Sequence, residues 1–573
     1  MDLIVSYFLM PKFKHYPIRP KRLTSAFAKA EYAKLLKRLP AAEASKDAKA
    51  WLKLFADWNA LKSYIGSEGA RINHRFNQDM RSKKAETAEI YFHEKVVPIT
   101  EKPEHELTQA FLASQHKKEL AKKYGSQLVP IYKTFLNPLN PINANLRIQD
   151  NRLVKQYEKL LASGTVKVKG QKMTLSKAGS LTTSGDPALR KAAFLAIGDW
   201  FLAHHAKMSR IYAKLVKIRN QMGKNVGLKS FTPLAYQNMG RTDYDEESVK
   251  KFRKAVLKYA VPLRQKLVKQ HTEALGTPTL AVWDAGFNPQ LTLPLGIVPV
   301  DKQLAGAQKL FNKLHPQLAR NFKSLRKRKL IDLEDRPGKR NGAYCTVFTD
   351  EETVALLCDS TGDSDDIRVL THEMGHAFQM MASQKISSVD LQVGTAELAE
   401  IESMGMEFLS LPHIDAFFNP LDAKKIVITC WLRAISTLCY VCVVDEFQHW
   451  VYANPQATSG KQDQKWVELA DTYMPGLDWR GVEKYRKTGR VNKHHIFTVP
   501  FYYIDYALAE VCAMQLALID AKDHRKALAI YLRLCGLGGT KSFLAAVKDA
   551  GLRSPFDEKL MADLVKHAAK ILV

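Results

Sequence analysis

Between residues 21 and 160 apolar side chains return every three or four positions, with charged residues between them, as in DAKAWLKLFADWNALKSYI at 47–65. That is the period of an amphipathic α-helix, so the region predicts a series of helices that each bury one face. The series breaks at 134–143, TFLNPLNPIN, where proline removes backbone donors and asparagine favours turns. At 165–175, TVKVKGQKMTL, the period shortens to two around a glycine, which predicts a β-hairpin. Helical spacing resumes after Asp186, a capping residue, and Pro187, suited to a first helical turn. Two β-rich runs, AYCTVF at 343–348 and TVALLC at 353–358, predict a small sheet inserted into a helical chain. No internal repeat interrupts the pattern.

The stretch 363–381 keeps helical spacing through Ile367, Leu370, Met374, Ala377, Phe378 and Met381. Its acidic start supplies a cap and suits the positive end of the helix dipole. A second helical pattern covers 396–412. The stretch IVITCWLRAISTLCYVCVV at 426–444 is long enough to span a bilayer, but Arg433 sits near its middle. A charge there is costly in lipid, so the stretch predicts a buried helix. The apolar run near the N-terminus follows Asp2 and precedes Pro-Lys, which does not fit a signal peptide and predicts a packed first strand or helix.

Composition changes this picture little. A chain of 573 residues, 46% hydrophobic and 25% charged, has ample material for a core. The net charge of +28 implies either a well-solvated basic surface or attraction to polyanions. No basic motif interleaved with aromatics points to a nucleic-acid module. The seven cysteines are odd in number and mostly lie in apolar runs, which predicts reduced thiols and a cytoplasmic location. Cys439 and Cys442 form a C-x-x-C with no second pair to complete a zinc knuckle.

The chemistry concentrates at 372–376. His372 and His376 lie one helical turn apart, so their side chains share a face about 5–6 Å apart at Cβ and can reach one metal ion. Glu373 points about 100° around the axis, where it can hold a water as general base; this is the logic of His-Glu-x-x-His. Gly375 removes bulk beside the histidines and suits a closely packed neighbour. A third ligand is needed, and the 396–412 pattern offers Glu397, Glu400, Glu402 and Glu407. Glu400 and Glu407, seven apart, share a face, as a ligand and a carboxylate orienting a histidine would.

Four stretches resemble peptidase family M3, the thimet-oligopeptidase-like metallopeptidases, in its oligoendopeptidase F and Pz-peptidase branch. They are HEMGHAFQ at 372–379, AEIESMGMEFL at 399–409, HHIFTVPFYYIDYALA at 494–509 and CGLGGTKSFLAAVKDAGLRSPFDE at 535–558. With PGKRNGAYC at 337–345 and DEFQHWVY at 445–452, the likeness covers roughly 190–565. The resemblance implies one Zn²⁺ per chain held by His372, His376 and Glu400, with Glu373 as base and Glu407 orienting a histidine. It implies that His495 and one of Tyr502, Tyr503 and Tyr506 stabilise the oxyanion. It also implies that Gly538 and Gly539 flank the cleft against the peptide backbone. The implied fold is mainly α and zincin-like: an ellipsoid of helices around a deep central channel, with a small β-sheet next to the metal-binding helix near 364–384. Residues 1–185 would form a helical lid or channel wall and 186–573 the catalytic domain. Substrates would be short unstructured peptides, with no membrane or nucleic-acid partner; oligomeric state is not readable. Many relatives carry a third histidine where Gln379 stands, and the Pz-like branch tolerates glutamine there. The run GLGG at 536–539 lacks the spacing of a phosphate-binding loop. Two rival readings remain: a zinc metallocarboxypeptidase of similar helical build, and a basic polyanion-binding protein with a secondary or inactive peptidase site.

Overall fold

The computed structural model describes residues 15–573 apart from 19, 21, 295 and 341. The apolar N-terminal run lies outside the described residues. About 72% of the chain is helical.

The N-terminal helices follow the three- and four-residue spacing. Helix Lys49–Gln78 buries Trp51, Leu54, Phe55, Trp58, Leu61 and Tyr64 along one face. These side chains pack with Phe111, Tyr124 and Tyr132 into a separate aromatic core, where the Phe55 and Tyr124 rings lie 4.5 Å apart. Each fully buried aromatic of this kind contributes about 1.5–3 kcal/mol. Ile386 and Leu391, distant in sequence, complete that core.

Most buried apolar residues from Leu153 to Ala568 belong to a larger second core. Helix Pro187–Asn225 enters it as predicted: Asp186 accepts from the Ala188 amide at 2.9 Å and proline occupies the first turn. The predicted hairpin is present as β1 (Thr165–Val168) and β2 (Gln171–Thr174). Lys169 and Gly170 at its tip both have positive φ, as a tight hairpin turn requires. A two-residue parallel pair joins β3 (Leu280–Ala281) to β7 (Leu477–Asp478).

The sheet that matters to function has three strands in the order β4-β6-β5, where β4 is Ile331–Glu334, β5 is Tyr344–Phe348 and β6 is Thr353–Ser360. The central strand β6 runs parallel to β4 and antiparallel to β5. Strand β4 is absent from the sequence-based expectation. Its four residues, Ile-Asp-Leu-Glu, are too few for a convincing alternation, and its pairing with β6 is what makes it a strand.

Helix Pro420–Ala453 is long and apolar enough to cross a membrane by length and composition. Here Cys430, Trp431, Ala434, Ile435, Leu438 and Val441 of this helix lie in the second core. Arg433 stands 3.2 Å from both Asp365 and Glu407. Six cysteines are buried, Cys345 is half-buried, and all seven are free thiols.

Candidate metal centre and active site

Helix Ser364–Ser383 carries both histidines. Asp363 and Asp366 form a reciprocal capping box at its start, satisfying amides that would otherwise lack partners. Its apolar face packs on β6 and the second core. Glutamate-bearing helix Ala396–Ser410 crosses it at Gly375, where a Cβ would lie 2.5 Å from the Glu402 carbonyl oxygen and 2.6 Å from Ser403 Cα. Only glycine allows that approach, and the approach brings Glu400 to the two histidines. Glu400 Oε2 lies 3.4 Å from His372 Nε2 and 3.9 Å from His376 Nε2. One ligand atom from each of the three residues falls within 4.8 Å of the others. A tetrahedral ion with bonds of about 2.0–2.1 Å spaces its ligands roughly 3.3–3.4 Å apart, so this donor set fits zinc after a small contraction.

The other carboxylates of that helix go elsewhere. Glu407 meets His372 Nδ1 at 2.7 Å; Arg433 approaches it to 3.2 Å and Arg368 to 3.6 Å. Glu397 accepts from the Tyr244 hydroxyl. Glu402 is buried, and burial pushes its carboxyl well above the usual range. Glu400 is therefore the carboxylate that geometry assigns to the histidines.

The electrostatics of the cluster are set by burial and by the mutual charges of its members. Burial alone would lower His372, but Glu400 and Glu407 overcome it and raise the imidazole to about 10. Burial lowers His376 to about 4. Burial would raise Glu400, yet the two histidines and the Tyr502 hydroxyl bring it to about 2. Glu373 is 6% exposed and its Oε2 has no hydrogen-bond partner. Burial pushes it up to about 7.

His495, Tyr502, Tyr503 and Tyr506 converge in one aromatic cluster. The His495 ring lies 4.9 Å from Tyr503, 6.1 Å from Tyr506 and 6.4 Å from Tyr502. Tyr502 donates to Glu400 Oε1 at 2.6 Å. Tyr503 instead accepts from Lys493 at 3.0 Å, and Tyr506 packs edge-on against Tyr502. Burial lowers His495 to about 4, so its ring is neutral at pH 7.

Gly538 and Gly539 are not brought to this cluster. Both are buried, and added Cβ atoms would lie 2.7 Å from the carbonyl oxygens of Gln392 and Val393. The Gly539 amide donates to the Leu391 carbonyl at 2.8 Å. The glycines thus support the 391–394 segment from behind. Gln379 donates to the Gln392 carbonyl at 3.0 Å and so braces the same segment. Gln392 and Val393 in turn line a cavity of about 270 Å³, opposite Lys62 and Ser67 and beside Thr346 of β5 and Met380.

Arg368 and Arg433, which flank Glu407, were not anticipated as part of the site. For Arg433 a signal was available, because a charge in the middle of an apolar helix needs a partner; Arg368, beside the acidic first turn of its helix, gave none.

A helix bearing His-Glu-x-x-His, a crossing helix that adds a glutamate, and an unpartnered carboxylate beside them define a metal-dependent hydrolase. The description of peptidase family M3 matches residues 180–565, and that of the M3 N-terminal domain matches 13–137. The chain belongs to peptidase family M3 and is a peptidase. No curated protein matches it. Among solved structures, it is similar to Pz peptidase A with an inhibitor (31% identity, 97% of this chain and 98% of that one, TM-score 0.91). An X-ray structure described as an oligoendopeptidase F is 29% identical over 98% of this chain and 99% of its own, with TM-score 0.91. A third, described as an oligoendopeptidase F from Bacillus anthracis, is 29% identical over 98% of each chain, with TM-score 0.86.

Proposed function

We propose that this peptidase is a zinc-dependent oligoendopeptidase that hydrolyses internal bonds of short, unstructured peptides. The observation that carries the reading is the convergence of His372, His376 and Glu400 beside the unpartnered carboxylate of Glu373. Likeness to Pz peptidase A and to oligoendopeptidase F supports it.

When bound by these three residues, zinc supplies the Lewis acidity that makes water a nucleophile at neutral pH. Glu373 accepts the proton of the attacking water and delivers it to the leaving amine. Burial raises this carboxyl, which favours its holding the proton between the two steps. Glu407 fixes the orientation of His372 through Nδ1. Tyr502 is the hydroxyl nearest Glu400; its one hydrogen is donated to that carboxylate here, and by swinging from Glu400 it can donate instead, with the neutral His495, to the oxyanion of the tetrahedral intermediate. Strand β5 is an outer strand of its sheet, so an extended peptide can align along it and place a side chain in the 270 Å³ cavity. Helix Lys49–Gln78 faces β5 across that cavity, which supports the role of residues 1–185 as channel wall and of 186–573 as catalytic domain. The seven free thiols support a cytoplasmic location.

The test combines metal analysis with hydrolysis of quenched peptides blocked at both ends. The expected result is about one zinc per chain and internal cleavage. Glu373→Gln should keep the metal and lose about 10²–10⁴-fold in kcat. Stepwise loss from free carboxyl ends, with blocked peptides untouched, would replace this reading with a carboxypeptidase.

A further inference from the structure

The proposed metal ligands sit on long helices, whereas His495 lies on the five-residue helix His494–Thr498 and Tyr502 ends the irregular segment that joins it to helix Tyr503–Asp520. Phe501, immediately before Tyr502, adopts φ +67°, a left-handed conformation that a bulky residue rarely takes. Such a conformation persists only when its surroundings impose it.

Three buried side chains do so. The Phe501 amide donates to Gln448 Oε1 at 2.7 Å, and the Phe501 carbonyl accepts from Arg241 Nη2 at 2.7 Å. Arg219 donates to the carbonyls of Ile496, at 3.1 Å, and Phe497. Gln448, Arg219 and Arg241 are 1%, 2% and 6% exposed, so water cannot compete for these carbonyls.

Each guanidinium is held from its other side. Arg219 pairs with Asp150 at 2.7 Å. Arg241 pairs with Asp505, in the first turn of the tyrosine helix, at 2.6 Å, and lies 3.5 Å from Glu397. Glu397 is three residues before Glu400 on the same helix. Arg241 therefore connects both partners of the Tyr502–Glu400 hydrogen bond without touching either. The Phe501 ring packs beside His449 and Tyr452, at 5.0 and 5.5 Å, which offsets the backbone strain.

We propose that Arg219, Arg241 and Gln448 are positioning residues: they clamp 496–501 in a strained path that aims the Tyr502 hydroxyl at Glu400 and presents His495 beside it. The inference rests on the peptidase reading above, and none of the three residues contributes a metal ligand.

A double-mutant cycle tests it on the zinc-loaded, full-length enzyme with a blocked peptide. Gln448→Met keeps the side-chain volume but leaves the Phe501 amide without its acceptor. It should lower kcat about tenfold, with KM changed less than about threefold and zinc content retained. In a Tyr502→Phe background the same change should cost less than about twofold, because the group it positions is gone. Arg241→Lys, which keeps a charge against Asp505 but cannot reproduce the guanidinium geometry, is the second probe should Gln448→Met fail to fold; the same coupling is expected. Equal losses in both backgrounds would show a merely structural role and overturn the inference while leaving the peptidase reading intact. A Tyr502→Phe enzyme with native kcat would also overturn it. Absence of turnover by the native zinc enzyme would strike the peptidase reading itself, and this inference with it.

Discussion

His372 faces Glu407 through Nδ1 at 2.7 Å. A carboxylate only accepts, so Nδ1 carries the hydrogen and Nε2 is the atom left for a metal. Removing this support with Glu407→Gln should weaken zinc binding about 10–100-fold, measured by competition with a chelator. The metal-free site also makes a pH prediction. His372 is raised to about 10, above an unperturbed value of about 6.5. Its stabilising contribution to the metal-free protein is therefore full below about 6.5 and lost as pH rises through about 10. At pH 7–8 zinc must displace that proton. Calorimetry in buffers of different ionisation enthalpy should show about one proton released per zinc, and affinity should fall with falling pH. His372, Glu373 and His376 were legible because five consecutive helical residues determine their own relative geometry. Spacing singled out Glu400 and Glu407 as a pair on one face but not which of them meets both histidines; the crossing of two helices decides that, and the family resemblance anticipated Glu400. The choice of Tyr502 over Tyr503 and Tyr506 depends on the left-handed turn at Phe501, which no local pattern announces. Arg219 and Arg241 looked like any others among 86 lysines and arginines.

At the scale of elements, Gly375 sets how closely the ligand-bearing helices approach. Alanine favours a helix interior over glycine by up to about 1 kcal/mol, but here its Cβ would meet backbone atoms at 2.5 and 2.6 Å. The clash should win. Gly375→Ala is expected to lose about 1–3 kcal/mol in denaturant unfolding and to bind zinc more weakly, because Glu400 moves away from the histidines. Strand β4 offers a second case. Burial would raise the Asp332 carboxyl, but Arg336 and Lys339 hold it far below the carboxylate range. Its stabilising contribution is present above the unfolded value near 3.9 and is lost as pH falls through the depressed folded value. Asp332→Asn should therefore cost about 1–3 kcal/mol at pH 7 and progressively less in acid, seen as converging unfolding midpoints. The helices, the hairpin and two of the three strands of the sheet were legible from period and caps. Strand β4 was not, because four residues carry too little alternation and its state depends on a distant partner.

Over the whole molecule, a bound zinc would add a link between two helices that packing and the Glu407 contacts to His372 and Arg368 already hold together. Stripping the metal should lower the melting temperature and zinc should restore it, by about 2.7 kcal/mol at a free concentration 100 times Kd. The seam between the two cores is built differently. Asn59 donates to the Ser387 carbonyl at 2.8 Å and accepts from the Val389 amide at 2.7 Å. Ser63 and Ser67 reach Thr349 at 2.6 and 3.0 Å, and Arg71 pairs with Asp350. Ile386 and Leu391, which follow the histidine-bearing helix, are buried among the aromatic side chains of the N-terminal part. An attempt to engineer a smaller catalyst by starting the gene at residue 138 would strip those two side chains of their cover and orphan the polar groups around Thr349. The shortened product should come out of expression clumped and inert, so the two portions must be inherited, and redesigned, as a single unit.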